Sequence, residues 1–501
     1  MISKLKTPAE RTAAALLAAL WLVCAWRAAT QSIVHDEALT YQFYLAGPAS
    51  EIFNHFDANH HFLNTLLMRL STALAGFSPL AMRVPALIGA ALFFGALFRF
   101  CRWALGSGWL LPIAVAAVSL NPFILDFMVA ARGYGLALGL WMWALALIAP
   151  QLEAPVHDRK SVAIAGACAA LSVTANLVFA LPVLTLAGIV VWQSLRRART
   201  VPETLQKTLQ KTLQKTSGKP ARNERRARER KTPPVWLDFL APAAAIAVVF
   251  LLVAPLERAA GEDFYAGTSS VLESLESLGA GSLVHSGPQG YQSFMSRGRA
   301  GLVSAVLAVA CVAWGAIAGL RSRNLRLILT AIPACGSALL ILALHFGLNM
   351  PYPLDRTGIY FIPAATLTLI VLATIDRRVF SAALTAAIVM IGCYAIEFNP
   401  RLFYVWSYDA DTDRIAERLA EMATTKPALN VVTSWQLEPA LNFYRETRHL
   451  DRLSPFTRRA IAPGFDVYVL TPQDGALVHD LNLTIVYTGP ASKTVIATVL
   501  K

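Results

Sequence analysis

Residues 33–70 read IVHDEALTYQFYLAGPASEIFNHFDANHHFLNTLLMRL, with adjacent carboxylates at Asp36 and Glu37 and then Asp57, Asn59, His60 and His61. The stretch follows directly on a long apolar run. Ionisable side chains at the mouth of a membrane span are costly unless they line a water-filled cavity, so the pair is a functional candidate. It also suits a helix start, where a carboxylate accepts backbone N–H groups and complements the macrodipole. The two roles are compatible, because capping can hold a carboxylate rigidly toward a cavity. An Asp/His/His set could ligate zinc, but adjacent histidines lack the i, i+4 spacing that one helical face requires. Asp57, Asn59, His60 and His61 are therefore expected to form a polar wall lining a substrate cavity, with no metal.

Two later segments carry the same kind of residue. NPFILDFMVAARGYGL supplies Asp126, Arg132 and Tyr134, and NMPYPLDRTGIYFIP supplies Tyr352, Asp355, Arg356 and Tyr360. A guanidinium matches phosphate or carboxylate bidentately, so Arg132 points to an anionic partner. Asp355 and Arg356 could instead pair with each other at the surface, which would contribute little.

These side chains must be positioned by membrane helices. The chain has 501 residues, 56% hydrophobic and 15% charged, against about 25% charged in soluble domains. Apolar runs near 11–29, 82–101, 108–124, 134–150, 161–176, 177–195, 236–256, 299–319, 326–347, 358–375 and 380–397 predict about eleven spans. Residues 61–77, interrupted by Asn64 and Arg69, suit an interfacial helix better. The formal charge of +13 is concentrated in one loop, where residues 196–231 hold thirteen Lys and Arg against three Glu. That is the positive-inside pattern, not a nucleic-acid footprint. The loop contains the repeat TLQK-TLQK-TLQK and reads as a low-complexity, mostly disordered cytoplasmic connector over 196–235. The other basic span ends fall on the same side, so the N-terminus is expected inside and residues 31–81 outside. Cys24, Cys101, Cys168, Cys311, Cys335 and Cys393 all lie in apolar stretches, without ligand spacing or a disulfide framework.

The domain division expected is thus a membrane domain over 1–398 and a periplasmic α/β domain over 399–501. In the latter, DADTDRIAERLAEMA and LEPALNFYRETR have helical period, ALNVVTSW and FDVYVLTP read as strands, and NLTIVYTG with KTVIATVL reads as a terminal hairpin.

The N-terminal pattern resembles membrane glycosyltransferases of the GT-C fold class, which includes protein O-mannosyltransferases and aminoarabinose transferases of lipid A. Asp36 and Glu37 correspond to the acidic residue or pair of the first loop, His60-His61-Phe62-Leu63 to an HPPL-like stretch, and Gly76 with Arg83-Val84-Pro85 to the turn leading into RLP. Arg132 and Tyr134 resemble an aRxY element, while Arg356, Tyr360 and Pro363 resemble a late RY…P element. The likeness covers residues 10–140 well and the rest mainly by topology. His61-Phe62 replaces the usual prolines, which alters packing or acceptor fit. Ala131 stands where many relatives have Glu before the Arg, which leaves Asp126 as a weaker substitute.

The resemblance implies transfer of a sugar from a polyprenyl-phosphate carrier to an acceptor hydroxyl at the periplasmic face of the inner membrane, with inversion. The acceptor would be a glycolipid, glycan or protein. Asp36 would be the general base, Glu37 its orienting neighbour or an acceptor ligand, and Arg356 with Arg132 the stabiliser of the departing phosphate. No cofactor is expected, and the arginines together with an Asp-Glu rather than a DxD favour a metal-independent reaction. A lipid or solute transporter or flippase without transferase activity is the alternative, although repeat symmetry is not evident. A third reading is a scaffold whose α/β domain recruits a partner.

Overall fold

The computed structural model describes residues 5–213, 234–256, 267–283, 297–375, 377–425 and 429–499. Among them, eight helices are long and apolar enough to cross a membrane: Pro8–Thr30, Pro79–Leu105, Gly133–Glu153, Leu177–Arg197, Val235–Val253, Gly301–Ser322, Leu325–Leu348 and Val379–Glu397. The chain is a multi-pass helical membrane protein. The remaining three expected spans are helical but shorter. Arg159–Ala175 has 17 residues, Leu110–Ser119 has 10 and Phe361–Ala373 has 13. At 1.5 Å per residue a ten-residue helix reaches only about 15 Å, half a hydrocarbon core. The run near 108–124 is broken because Asn121 starts a new short helix, Pro122–Phe127, by accepting the Ile124 N–H.

The segment expected at the interface forms helix Phe62–Ala75, with Leu70 and Leu74 exposed and Arg69 turned onto the Tyr44, Leu45 and Gly47 carbonyls. The boundary at Asn176 is also as expected. That residue ends Arg159–Ala175 in an extended conformation and its side chain accepts the Val178 N–H. The disordered reading of the TLQK repeat is corrected in part, since one helix runs through Ala180–Leu213. Leu, Gln and Lys are good helix formers and simply continue the span. The rest of the basic loop, residues 214–233, lies outside the described residues.

Packing separates the two ends of the bundle. At one end Thr7 donates to the Ser107 carbonyl, Arg102 pairs with Glu10, Trp103 donates to Glu153, Arg197 donates to the Gln151 and Ala154 carbonyls, and Arg159 pairs with Asp238. The opposite end gathers Gln31, Asp36, Arg83, Arg132, Arg356 and the segment after the last long helix. Two helices that carry site residues touch backbone to backbone. A Cβ on Gly89 would lie 2.5 Å from the Leu136 nitrogen, and one on Gly139 would lie 2.5 Å from the Gly89 carbonyl. Small residues at such a crossing let membrane helices approach closely. Here they bring Arg83 on one helix beside the turn that begins the other.

The C-terminal region is a small α/β domain with a four-stranded sheet of β1 (Val431–Thr433), β2 (Val467–Leu470), β3 (Leu483–Thr488) and β4 (Val495–Val499), ordered β1-β2-β4-β3. Strand β1 runs parallel to β2, while β4 is antiparallel to both β2 and β3. Helices Thr412–Thr425 and Glu438–Thr447 pack on it. Every element expected from the periodicity is present. The domain core continues into the first loop, because Ile33, Ala38, Tyr41 and Leu45 pack with Ile415, Leu441 and Phe443.

Candidate active site

The acidic pair sits in helix His35–Thr40, whose N-cap is Val34. Glu37 performs the capping, accepting the Val34 N–H at 3.1 Å. Its oxygens also accept the Ala131 N–H at 2.5 Å and a two-pronged contact from Arg83 Nε at 3.0 Å and Nη2 at 2.6 Å. Both partners are fully buried. Arg83 uses its remaining donors on the Ala28, Gln31 and Ser32 carbonyls. The Glu37–Arg83 pair therefore ties the end of the first helix to the first loop and to the turn before Arg132.

Asp36 faces the other way. Its Oδ2 meets Arg356 Nη2 at 3.0 Å and Arg132 Nη2 at 3.6 Å. Its side chain is 11% exposed and that of Arg356 22%, so solvent reaches this pair but not Glu37. Burial pushes the Asp36 carboxyl up, but Arg356 and then Arg132 outweigh it and hold it below the ordinary carboxylate range.

Each arginine is aimed by local structure. Arg132 precedes helix Gly133–Glu153 and donates to Asn59 Oδ1 at 2.7 Å and to Thr40 Oγ1 at 3.3 Å. A Cβ on Gly133 would lie 1.9 Å from the Ala175 carbonyl and 2.7 Å from the His61 Cβ, so only glycine fits beside it. Arg356 sits in a 3-10 turn, Asp355–Gly358, that begins with Asp355 at φ 47°. Such a left-handed residue is held by its surroundings; Asp355 donates its N–H to Ser277 and Leu354 donates to Thr357. Asp355 does not pair with Arg356, which reaches Asp36 instead.

The other expected residues divide. Tyr134 is buried against His61 and Phe127. His61 is buried beside it. Asp57 accepts from Tyr44 and from the Asn59 N–H at 2.8 Å, so it shapes the loop that presents Asn59 to Arg132. His60 stacks on Tyr44 at 4.2 Å, and burial lowers its imidazole to about 3. Asp126 is placed elsewhere, with Arg27 Nη2 at 2.7 Å and the Tyr404 N–H at 2.8 Å. Tyr352 pairs in the two-stranded sheet with Thr268 and stacks on His345 at 4.0 Å. Among the described residues no group of three His, Cys, Asp or Glu is placed to hold a metal ion.

Several site residues come from the segment after the last long helix, read in the sequence only as domain scaffold. Trp406 covers the Arg356 guanidinium at 5.4 Å. Asp409 is fully buried and accepts the His35 N–H at 2.7 Å, and burial pushes its carboxyl well above the usual range. His35 Nδ1 lies 2.6 Å from the Gln436 carbonyl. The signal available was the cluster YVWSYDAD immediately after an apolar run, where aromatics and carboxylates meet the membrane boundary.

No protein-family model matches the chain, and no curated protein matches it. The likeness noted in the sequence has counterparts among solved structures. The chain is similar to ArnT from Cupriavidus metallidurans bound to undecaprenyl phosphate, at 16% identity and TM-score 0.46 over 97% of each chain. It is also similar to the arabinofuranosyltransferase AftD from Mycobacteria, at 15% identity and TM-score 0.40 over 98% of this chain and 40% of that one. A third is the oligosaccharyltransferase from Archaeoglobus fulgidus, at 12% identity and TM-score 0.39 over 96% and 73%. What this chain does has to follow from its own side chains.

Proposed function

We propose that the protein transfers a sugar from a polyprenyl-phosphate carrier to an acceptor hydroxyl, with inversion, at the outer face of the plasma membrane. The observation that carries this reading is the charge balance of Asp36, Arg132 and Arg356. One carboxylate faces two guanidiniums, leaving a single positive charge in a site with little solvent. A buried charge is expensive unless paired, and a phosphodiester brings the one negative charge that neutralises it.

The geometry supports a division of labour. Arg356 and Arg132 bind the phosphate and stabilise the charge it gains. Asp36 accepts the acceptor's proton as its hydroxyl oxygen bonds to the anomeric carbon on the face opposite the phosphate. The carbon–oxygen bond to phosphate breaks and its electron pair leaves with the phosphate oxygen. Arg356 is the main charge holding Asp36 acidic. A phosphate that shares this guanidinium makes the carboxylate a better base only when donor is bound. The basic end of the bundle lies opposite the site, which supports an inside N-terminus and an outer active face.

The test is purified protein in liposomes with undecaprenyl-phosphate-linked sugars and a detergent-soluble acceptor pool, followed by mass spectrometry. Asp36→Asn is expected to lower transfer by about 10²–10⁴-fold, the usual worth of a general base. Full activity in that variant would overturn the reading, and carrier translocation without any glycosyl product would replace it with transport.

A further inference from the structure

Within the site two buried nitrogens on adjoining side chains have no hydrogen-bond partner, His61 Nε2 and Arg132 Nε. His61 is 6% exposed and Arg132 1%. The position of the imidazole is fixed from several sides. The His61 backbone N–H donates to the Asn59 carbonyl at 3.1 Å, the His61 backbone carbonyl accepts the Thr65 N–H at 2.8 Å, and the ring lies edge-on to Tyr134 at 5.2 Å. The Cβ packs against Gly133, next to Arg132. Asn59, two residues earlier, accepts from Arg132 Nη2, so the loop and the guanidinium are locked together. Arg132 spends its Nη atoms on Asn59, Thr40 and the Asp36 carbonyl, which leaves Nε as its remaining donor.

A buried polar atom without a hydrogen-bond partner costs free energy that a ligand's acceptor would recover. Two of them on residues that meet at Gly133, both able to donate, suit a common acceptor. We propose that His61 Nε2 and Arg132 Nε donate to the phosphate that leaves in the transfer, His61 engaging the oxygen set free when the bond to the anomeric carbon breaks. This deepens the function proposed above and rests on it. In the donor that oxygen is an ester bridge and a poor acceptor; in the product it is terminal and charged. A hydrogen bond to it thus exists only as the bond breaks, which is where a stabilising contact raises turnover. Burial first, and then Arg132 and Arg356, hold the imidazole well below its ordinary pKa. It therefore stays neutral and binds in the Nε2–H form, as a hydrogen-bond donor that adds no third positive charge to a site already carrying one in excess. Proline, the residue usual at this place in the resembling pattern, has no such donor.

The experiment measures binding of undecaprenyl phosphate to the full-length protein in detergent by tryptophan fluorescence, together with steady-state transfer. His61→Phe keeps the ring and removes the nitrogen; His61→Gln returns an amide donor at similar reach. The expected result for Phe is about tenfold weaker undecaprenyl phosphate binding, the loss appropriate to one hydrogen bond to a charged group. Turnover should fall by a similar factor while the KM for donor stays within about twofold. Gln should recover most of both. Should the Phe variant fail to fold, His61→Asn, whose amide is too short to reach, makes the same test. Binding within twofold of the parent in either variant, while Arg356→Ala binds weakly, overturns the role of His61 and leaves the proposed function standing. If Arg356→Ala also binds normally, the phosphate site and the role of His61 fall together.

Discussion

Replacing Glu37 by Gln separates structural from chemical use of the acidic pair. Glu37 accepts four donors and its partner Arg83 is fully buried. Breaking a buried pair by neutralising one member costs about 3–5 kcal/mol, because the other charge stays behind. Gln also turns an NH₂ toward either Arg83 or the Ala131 N–H, opposing donor with donor, which adds about 1–3 kcal/mol. A loss of at least about 4 kcal/mol is a large share of the roughly 5–15 kcal/mol that folded proteins command. Asp36→Asn should cost less stability, since solvent reaches Asp36 and Arg356. The assay is a thermal-shift series on detergent-solubilised protein, paired with transfer rates. Glu37→Gln should lose several degrees and most of its membrane abundance, with the surviving protein retaining turnover per folded molecule. Asp36→Asn should keep its abundance and lose turnover. A Glu37→Gln protein with the parent's melting temperature and a turnover as low as that of Asp36→Asn would refute the assignment.

Three further outcomes follow from single contacts. His60→Phe keeps the stack on Tyr44 and removes a group whose folded pKa lies at about 3, below its ordinary 6.5. A depressed folded value gives stability that is present above pH 6.5 and lost as pH falls toward 3, so melting temperature should decline less steeply over that window in the variant. Gly133→Ala places a methyl 1.9 Å from the Ala175 carbonyl, and should abolish folded protein as judged by size-exclusion of detergent extracts. Tyr444→Phe leaves the buried Ile33 N–H without the hydroxyl it meets at 2.8 Å, a loss of about 1–3 kcal/mol; hydrogen exchange should rise in residues 32–40 before it rises elsewhere.

Apolar length alone located the helices of the bundle, and composition located the α/β domain, because both signals are local. The break at Asn176 was legible for the same reason. What the sequence did not carry was pairing. Glu37 meets Arg83 46 residues away and Asp36 meets Arg356 320 residues away, so adjacency suggested one shared role where the fold gives two. Asp126 stands six residues before Arg132 and was grouped with it, yet a short helix points it at Arg27. Trp406 and Asp409 were hidden by belonging to a segment whose strongest pattern was the helix that follows.

Three carboxylate–arginine pairs stand at one end of the bundle, and the number of donors on each carboxylate explains what it does. Asp126 is met by Arg27 and the Tyr404 N–H, and Glu37 by Arg83 and two backbone N–H groups; both are nearly or wholly closed to solvent. Carboxylates closed off in this way fix geometry, although Arg27 keeps Nε and Nη1 without a hydrogen-bond partner. Asp36 instead shares two guanidiniums through one oxygen and remains open to solvent. The segment 398–406 links the three, with Phe398 and Phe403 over Arg27, Phe403 over Arg83 and Trp406 over Arg356. The closed pairs therefore hold one end of this aromatic strap and the open pair lies under the other. The C-terminal domain follows directly on the strap, so its position reaches Arg356 through Trp406. An acceptor bound on that domain would in this way act on the same guanidinium that sets the basicity of Asp36.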